Sequence, residues 1–446
     1  MLELEKRGKP TVTWVTAPLK KDALLTARAF GALGFATAVV PREFAPVPPE
    51  EIREMVDAAF PGVIRGLTEP PEVVPQANPP PGILGYRGQD LLDCWEQMNA
   101  AFRKEGWSDG LPLVPPTAAA VEGMLGGTSL GPEQVIASLE PGFGLATVRA
   151  IAVNAVMAGC HPEHLPVLLT AVQCLAEPGI NLRNKAMSTG PHAPLVLVNG
   201  PIAGEIGLNA KCCALGPGAV SYANTVIGRA LRLIMMNVGH NYPLTSDMDA
   251  QGSPLKYSLC AAENEAASPW EAYHVEKGYA PDDSTVTVMF VYGLVDLGTI
   301  SITAPETLAD LYATAVTNAA AVGSGLWLTT HRVDPRYQTT EKEHNFFFLS
   351  PQEAAKFAGQ GWQKDTLRQY LFNRARMPLK VLLKDRDPAA IVKENPGLAG
   401  LADHPETLMP VVEDPECYEI AVVGDIVGRG LYFPGGGGPV TRPVIR

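Results

Sequence analysis

The sequence predicts an α/β protein with a small N-terminal βαβα unit followed by a large mixed α/β domain, and three observations carry that expectation. Valine- and leucine-rich runs such as Ala193-Pro-Leu-Val-Leu-Val-Asn199 read as buried strands. Segments with apolar residues three and four apart, such as Val226, Ile227, Ala230, Leu231 and Ile234, read as helices with one packed face. The two kinds alternate along the 446 residues, and the abundant glycine (43) and proline (41) between them put functional groups on loops held by the frame.

In chain order, Thr11–Thr16 reads as a strand, Lys20–Leu33 as a helix, Phe35–Val40 as a second strand and Pro48–Gly66 as a helix with a break near Pro61. Residues 1–67 thus form a unit too short to cover a sheet alone, and it must lean on something. Residues 68–85 form a proline-rich linker, and residues 86–446 form the large domain with the presumed site. Leu91–Gly106 is an amphipathic helix running into Gly106-Trp-Ser-Asp-Gly-Leu-Pro-Leu-Val-Pro-Pro-Thr117, where Asp109 satisfies its own backbone and still presents a carboxylate. Thr117 caps a helix over Ala118–Leu125. Pro141–Ala158 reads as a further helix with Asn154 as its polar outlier, and Leu165–Leu175 as another. Beyond the central stretch, strands are expected at Thr285–Leu294, Gly325–Thr330, His344–Leu349 and Tyr418–Gly424, and helices at Thr307–Val322, Gln352–Phe357 and Lys364–Arg376. Gly428–Pro439, with four consecutive glycines, reads as a loop for close approach to a ligand or another subunit.

Composition excludes several roles. A formal net charge of −12 with only 18% charged residues argues against a nucleic-acid surface and against attraction to anionic membranes. No eighteen apolar residues run together and the start lacks a signal core, so a cytoplasmic address is expected. Seven scattered cysteines suit reduced thiols better than a disulfide framework; the adjacent Cys212 and Cys213 read as two small residues or as a redox or metal pair.

Chemistry concentrates in Asn181–Cys260 and just beyond. Thr189 and His192 lie on a loop entering the strand that ends at Asn199, and Gly216 and Gly218 sit in a turn feeding a helix start suited either to packing or to an anionic group, with Arg229 and Arg232 on that helix. Lys256 precedes Glu263-Asn264-Glu265, whose two carboxylates share a face only on a strand. Glu263 or Glu265 is the expected general base, Lys256 or Arg229 the holder of an anionic group, and Asn199 and Asn264 the orienting amides; Cys160, Cys212 and Cys260 are the thiols available for covalent chemistry. Cys160-His-Pro-Glu-His164 also has metal-like spacing, but Glu163 and the proline suit a helix start, so the expected metal set is none, with Cys160, His161 and His164 as the candidates otherwise. The sequence identifies neither a cofactor nor its absence.

Trp107-Ser-Asp-Gly-Leu-Pro-Leu-Val-Pro-Pro-Thr117, Ala158-Gly-Cys160, Val198-Asn-Gly-Pro201, Leu215-Gly-Pro-Gly218, Ile227-Gly-Arg-Ala-Leu-Arg232 and Ala262-Glu-Asn-Glu265 with Ser268-Pro-Trp270 resemble the large domain of the UGSC-motif (seleno)protein family. That resemblance implies a redox-related protein whose reactive selenocysteine- or cysteine-Gly-Ser-Cys motif follows the first strand of a small α/β domain. Here that position reads Ala17-Pro-Leu-Lys20, with no thiol to supply a nucleophile. The expectation is therefore a soluble enzyme or large enzyme subunit, in a homo- or hetero-oligomer, acting on a small polar or anionic metabolite by redox or lyase chemistry at a carbon–heteroatom bond. The alternatives are a non-catalytic companion to a partner with an intact motif, and a metal-dependent hydrolase or lyase using Cys160, His161 and His164.

Overall fold

The computed structural model describes residues 4–5, 7–29, 34, 36–42, 47–70, 83–319, 342–383, 387, 389, 392–393, 396, 399–425 and 428–445. In the N-terminal unit, strand β1 (Val12–Thr16) pairs in parallel with β2 (Ala36–Val40) across the crossover helix Lys20–Ala29. The helix Pro49–Thr68 continues past Pro61, so the expected break does not occur. Packing overrides the local cost. Gly62 comes up to Ala38, and a Cβ at Gly66 would meet Val12 and Ala36 at 2.7 Å, so the absent side chains let this helix lie close on the strands.

The large unit contains a hairpin, β3 (Val135–Leu139) with β4 (Gly144–Thr147), where a helix was expected from Pro141. The helix begins only at Val148, capped by the Thr147 hydroxyl, because Gly144 must pass directly against the Val238 carbonyl and does so as a strand. Strands β5 (Ala193–Asn199), β6 (Cys260–Ala262) and β7 (Thr285–Val291) follow, then β8 (Val295–Gly298), β9 (Asn345–Leu349), β10 (Arg376–Pro378), β11 (Leu408–Pro410), β12 (Tyr418–Val422), β13 (Arg429–Phe433) and β14 (Val440–Pro443). Two four-stranded mixed sheets result, ordered β14-β7-β5-β6 and β12-β9-β13-β8. The Gly428–Pro439 segment is thus not simply a loop: β13 pairs with both β9 and β8, and Gly430 leaves room for the Tyr312 hydroxyl. The expected strand at Gly325–Thr330 and most of the proline-rich linker lie outside the described residues.

Among the described residues, alternation along the strands of these two sheets sorts their side chains into three cores. Val196 and Val198 of β5 and Val286, Val288 and Phe290 of β7 pack under the helices Val148–Ala158, Leu165–Leu175 and Tyr222–Asn237. Phe347 and Leu349 of β9 and Ile420 and Val422 of β12 pack under Pro305–Ala319, Pro351–Gly359 and Lys364–Arg374. The intervening residues, Leu195, Leu197, Met289 and Val291 from one sheet and Phe346, Phe348, Ala421 and Phe433 from the other, meet face to face. The large unit is a four-layer helix–sheet–sheet–helix sandwich. Edge-to-face contacts at 5.3 Å (Phe346 with Phe348) and 4.9 Å (Phe348 with Phe433) fix the middle layer.

Among the described residues, no single helix is long and apolar enough to cross a membrane; one bent pair, Pro162–Leu175 with Pro178–Ala186, passes on length and composition together. Its Leu165–Leu175 portion is almost wholly buried in the first core.

A charge cluster closes the space beside the middle layer. Glu419 of β12 accepts from Nδ1 of His344 (2.9 Å), Nζ of Lys277 (2.7 Å) and the Tyr273 hydroxyl (3.0 Å). Burial opposes its charge, but the His344 hydrogen bond and the Lys277 ammonium outweigh burial and hold the carboxyl down at about 2. With the folded value below the ordinary 4.5, this group's contribution is present above about pH 4.5 and is lost as pH falls toward 2. Urea unfolding across that window is therefore expected to lose less stability in Glu419→Gln than in the parent, and identical pH slopes would refute the assignment.

Candidate functional site

The expected site residues divide between the two ends of β5, about 20 Å apart along seven residues of strand. At the C-terminal end, the Asn199 amide lies between Glu263 Oε2 (2.5 Å) and Glu265 Oε1 (3.0 Å). Glu263 also accepts from the backbone N–H groups of Tyr273 (2.7 Å) and Val422 (3.3 Å), while Asn264 donates through its backbone to Val422 and through its side chain to the Gly424 carbonyl. These residues bolt the first sheet to β12 of the second. Burial pushes the Glu263 carboxyl above its ordinary range, against the opposing pull of Lys364 and its hydrogen bonds. Glu265, whose side chain is 31% exposed, also accepts from Gly200 N–H at 2.7 Å. The two carboxylates do converge, although β6 ends at Ala262 and Glu265 opens a 3₁₀ turn.

The other end opens on a cleft of about 1160 Å³ between the N-terminal and large units. Lys21 and Leu24 line it from the helix Lys20–Ala29, and Asp109, Arg232, Asp247, Asp249 and Lys256 line it from the large unit. The Asp109 turn is held by a bidentate pair: Arg229 Nε and Nη2 reach its two carboxylate oxygens at 2.7 and 2.9 Å, and Nη2 also reaches the Pro112 carbonyl at 2.9 Å. Arg229 is thereby committed to Asp109. Next to it, Arg232 donates to Asp247 (2.8 Å) and Asn241 (2.7 Å), and Lys256 reaches Asp247 (2.9 Å) and Asp249 (2.8 Å). All four charged side chains of this chain of pairs are 13% exposed or less. Burial works against the Asp249 charge, and the Lys256 ammonium together with the backbone N–H groups of Gly252 and Gln251 outweighs it, so its carboxyl is lowered. Across the seam, Arg183 ties the units together, donating to Asp22 (3.0 Å) and Thr26 (3.4 Å) of the N-terminal helix.

The remaining candidates surround these two places without entering the cleft lining. The Thr189 carbonyl accepts from Ala250 N–H beside Asp249, while His192 is buried against Tyr292 at 4.5 Å, and burial and Lys185 push its ring down to about 4. A Cβ at Gly436 would sit 3.2 Å from its Nε2 and one at Gly435 would strike the His344 carbonyl, so two of the four consecutive glycines make a close approach to this chain itself. Asn154 is buried, donating to the Ala150 carbonyl and accepting from Asn237, which bridges on to the Trp107 carbonyl. Gly216 and Gly218, both at positive φ, lie in the turn before the helix Tyr222–Asn237; Arg232 is ten residues into that helix, about 15 Å along its axis. The buried Cys160 thiol faces the Val226 carbonyl, and burial raises it far above its ordinary value; Cys260, also buried, is pushed up to about 12, while Cys212 and Cys213 are exposed.

His161, Glu163 and His164 do bring ligand atoms within 4.8 Å of one another. However, His164 Nδ1 accepts from the His161 backbone and its ring is also hydrogen-bonded to the Ile206 backbone, so a metal ion would have to displace an existing bond. Sequence reasoning passed over Asp247 and Asp249, although Ser246-Asp-Met-Asp249 sits inside the central stretch with its carboxylates two apart.

The fold and cleft define a two-unit α/β protein with a polar cleft at the seam. Residues 1–69 match the model of the UGSC family, so the N-terminal unit is related to that family. The match includes the position after β1 and stops short of the motifs in residues 86–446 on which the resemblance was drawn. No curated protein and no solved structure matches the chain.

Proposed function

We propose that the protein is a soluble enzyme, or the large subunit of one, acting on a small polar metabolite in the cleft between its units, by redox or lyase chemistry at a carbon–heteroatom bond. The observation that supports this most is the chain of pairs Arg232–Asp247–Lys256–Asp249 in the cleft wall. Burying so many charges costs several kcal/mol per ion before pairing, and unlike the Glu263 cluster this one bolts no two sheets together. In the cleft, Lys256 stabilises developing negative charge and Asp249 exchanges the proton, a role that the enclosed Glu263 at the far end of β5 is poorly placed to fill.

Native mass spectrometry of protein taken anaerobically from its own host tests this. An adduct of a few hundred daltons that is lost on denaturation and depleted in Lys256→Met is expected; an adduct indifferent to Lys256→Met would overturn the assignment to the cleft. The companion-subunit reading keeps one supporting observation: the family-matched segment has Ala17-Pro-Leu-Lys20 and no thiol after β1. A second polypeptide in the native mass would favour it.

A further inference from the structure

The charges lining the cleft are unevenly distributed. In its wall, Arg232 and Lys256 are matched by Asp247 and Asp249, and Asp109 is matched by Arg229. At its exposed rim stand Lys21 from the N-terminal unit and Arg103 and Lys104 from the helix Leu91–Glu105, with Glu105 the one rim carboxylate among the described lining residues. Among the described residues none of these three cations has an ion-pair partner. Arg103 and Lys104 suit the C-terminal end of their helix dipole, but Lys21 stands in the first turn of its own helix, where the dipole disfavours a cation, so helix stability does not account for it. In a protein of net charge −12, the rim is a local positive focus around an electrically balanced interior.

Given the cleft as substrate site, on which this rests, we infer that its ligand is an acid with an uncharged reacting end: a carboxylate or phosphate group held at the rim by Lys21, Arg103 and Lys104, and a neutral hydroxyl, carbonyl or amide group against Lys256 and Asp249. The N-terminal unit, whose thiol position is vacant of sulfur, then contributes charge to the site through Lys21. Binding draws the two units onto one molecule.

Isothermal titration with short ω-hydroxy acids, ω-hydroxyalkyl phosphates, and the diols and amino alcohols of the same lengths tests this. One of the two anionic series is expected to bind roughly tenfold more tightly than the matched diol, and which one identifies the anionic group; the advantage shrinks at high salt. Lys21→Met and Arg103→Met, both at exposed positions, are expected to remove most of that advantage while leaving the diol's affinity unchanged. If a diol or amino alcohol binds as well as the acids, and Lys256→Met but not Lys21→Met weakens it, the anionic handle is wrong and the cleft assignment stands. If no series binds, or binding is indifferent to Lys256→Met as well, both are overturned.

Discussion

Glu263→Ala is expected to lower the unfolding free energy by roughly 3–5 kcal/mol, read as a shift of the urea midpoint. The substitution strands the Tyr273 and Val422 N–H groups in a dry interior and leaves the Asn199 amide with Glu265 alone. Each orphaned buried donor costs about 1–3 kcal/mol, and here the loss also unpins one sheet from the other. Glu263→Gln should cost less, because its carbonyl still accepts while its amide faces donors. A midpoint unchanged in the alanine variant would show that these hydrogen bonds do not hold the sheets together.

Asp247→Ala should be of similar size, roughly 3–5 kcal/mol, because it leaves Arg232 and Lys256 facing each other across a largely desolvated wall. Removing the opposing charge as well, in Asp247→Leu with Arg232→Met, is expected to recover a good part of that stability. A double variant no more stable than Asp247→Ala would mean that the aspartate contributes through something other than charge pairing.

How much of this was legible in the sequence depends on the range of the interaction concerned. Strands β5, β7 and β9 and the caps at Thr117 and Ser350 are written locally, as runs of β-branched and apolar residues and as hydroxyls three residues before the backbone N–H they satisfy. The hairpin β3–β4 and strand β13 were missed because Gly142, Gly144 and Gly430 look like breakers, yet each is small because another part of the fold passes through the space a side chain would take. Glu263, Glu265 and Asn199 stood out as polar interruptions and do meet. Their binding to β12, distant in sequence, could not be read from their neighbours. Lys256 was visible, whereas Asp247 and Asp249 looked like ordinary loop residues until the fold brought Arg232 against Asp247 and Lys256 against both.

The shared middle layer of the sandwich has a consequence for how the large unit tolerates change. Because Leu195 and Met289 of one sheet and Phe346 and Phe433 of the other pack into a single shared core, neither sheet can come apart without exposing the apolar face of the other. The two sheets therefore open as a single foldon. Local opening is left to the N-terminal unit and to the loops at the strand ends, and it is there that the cleft lies.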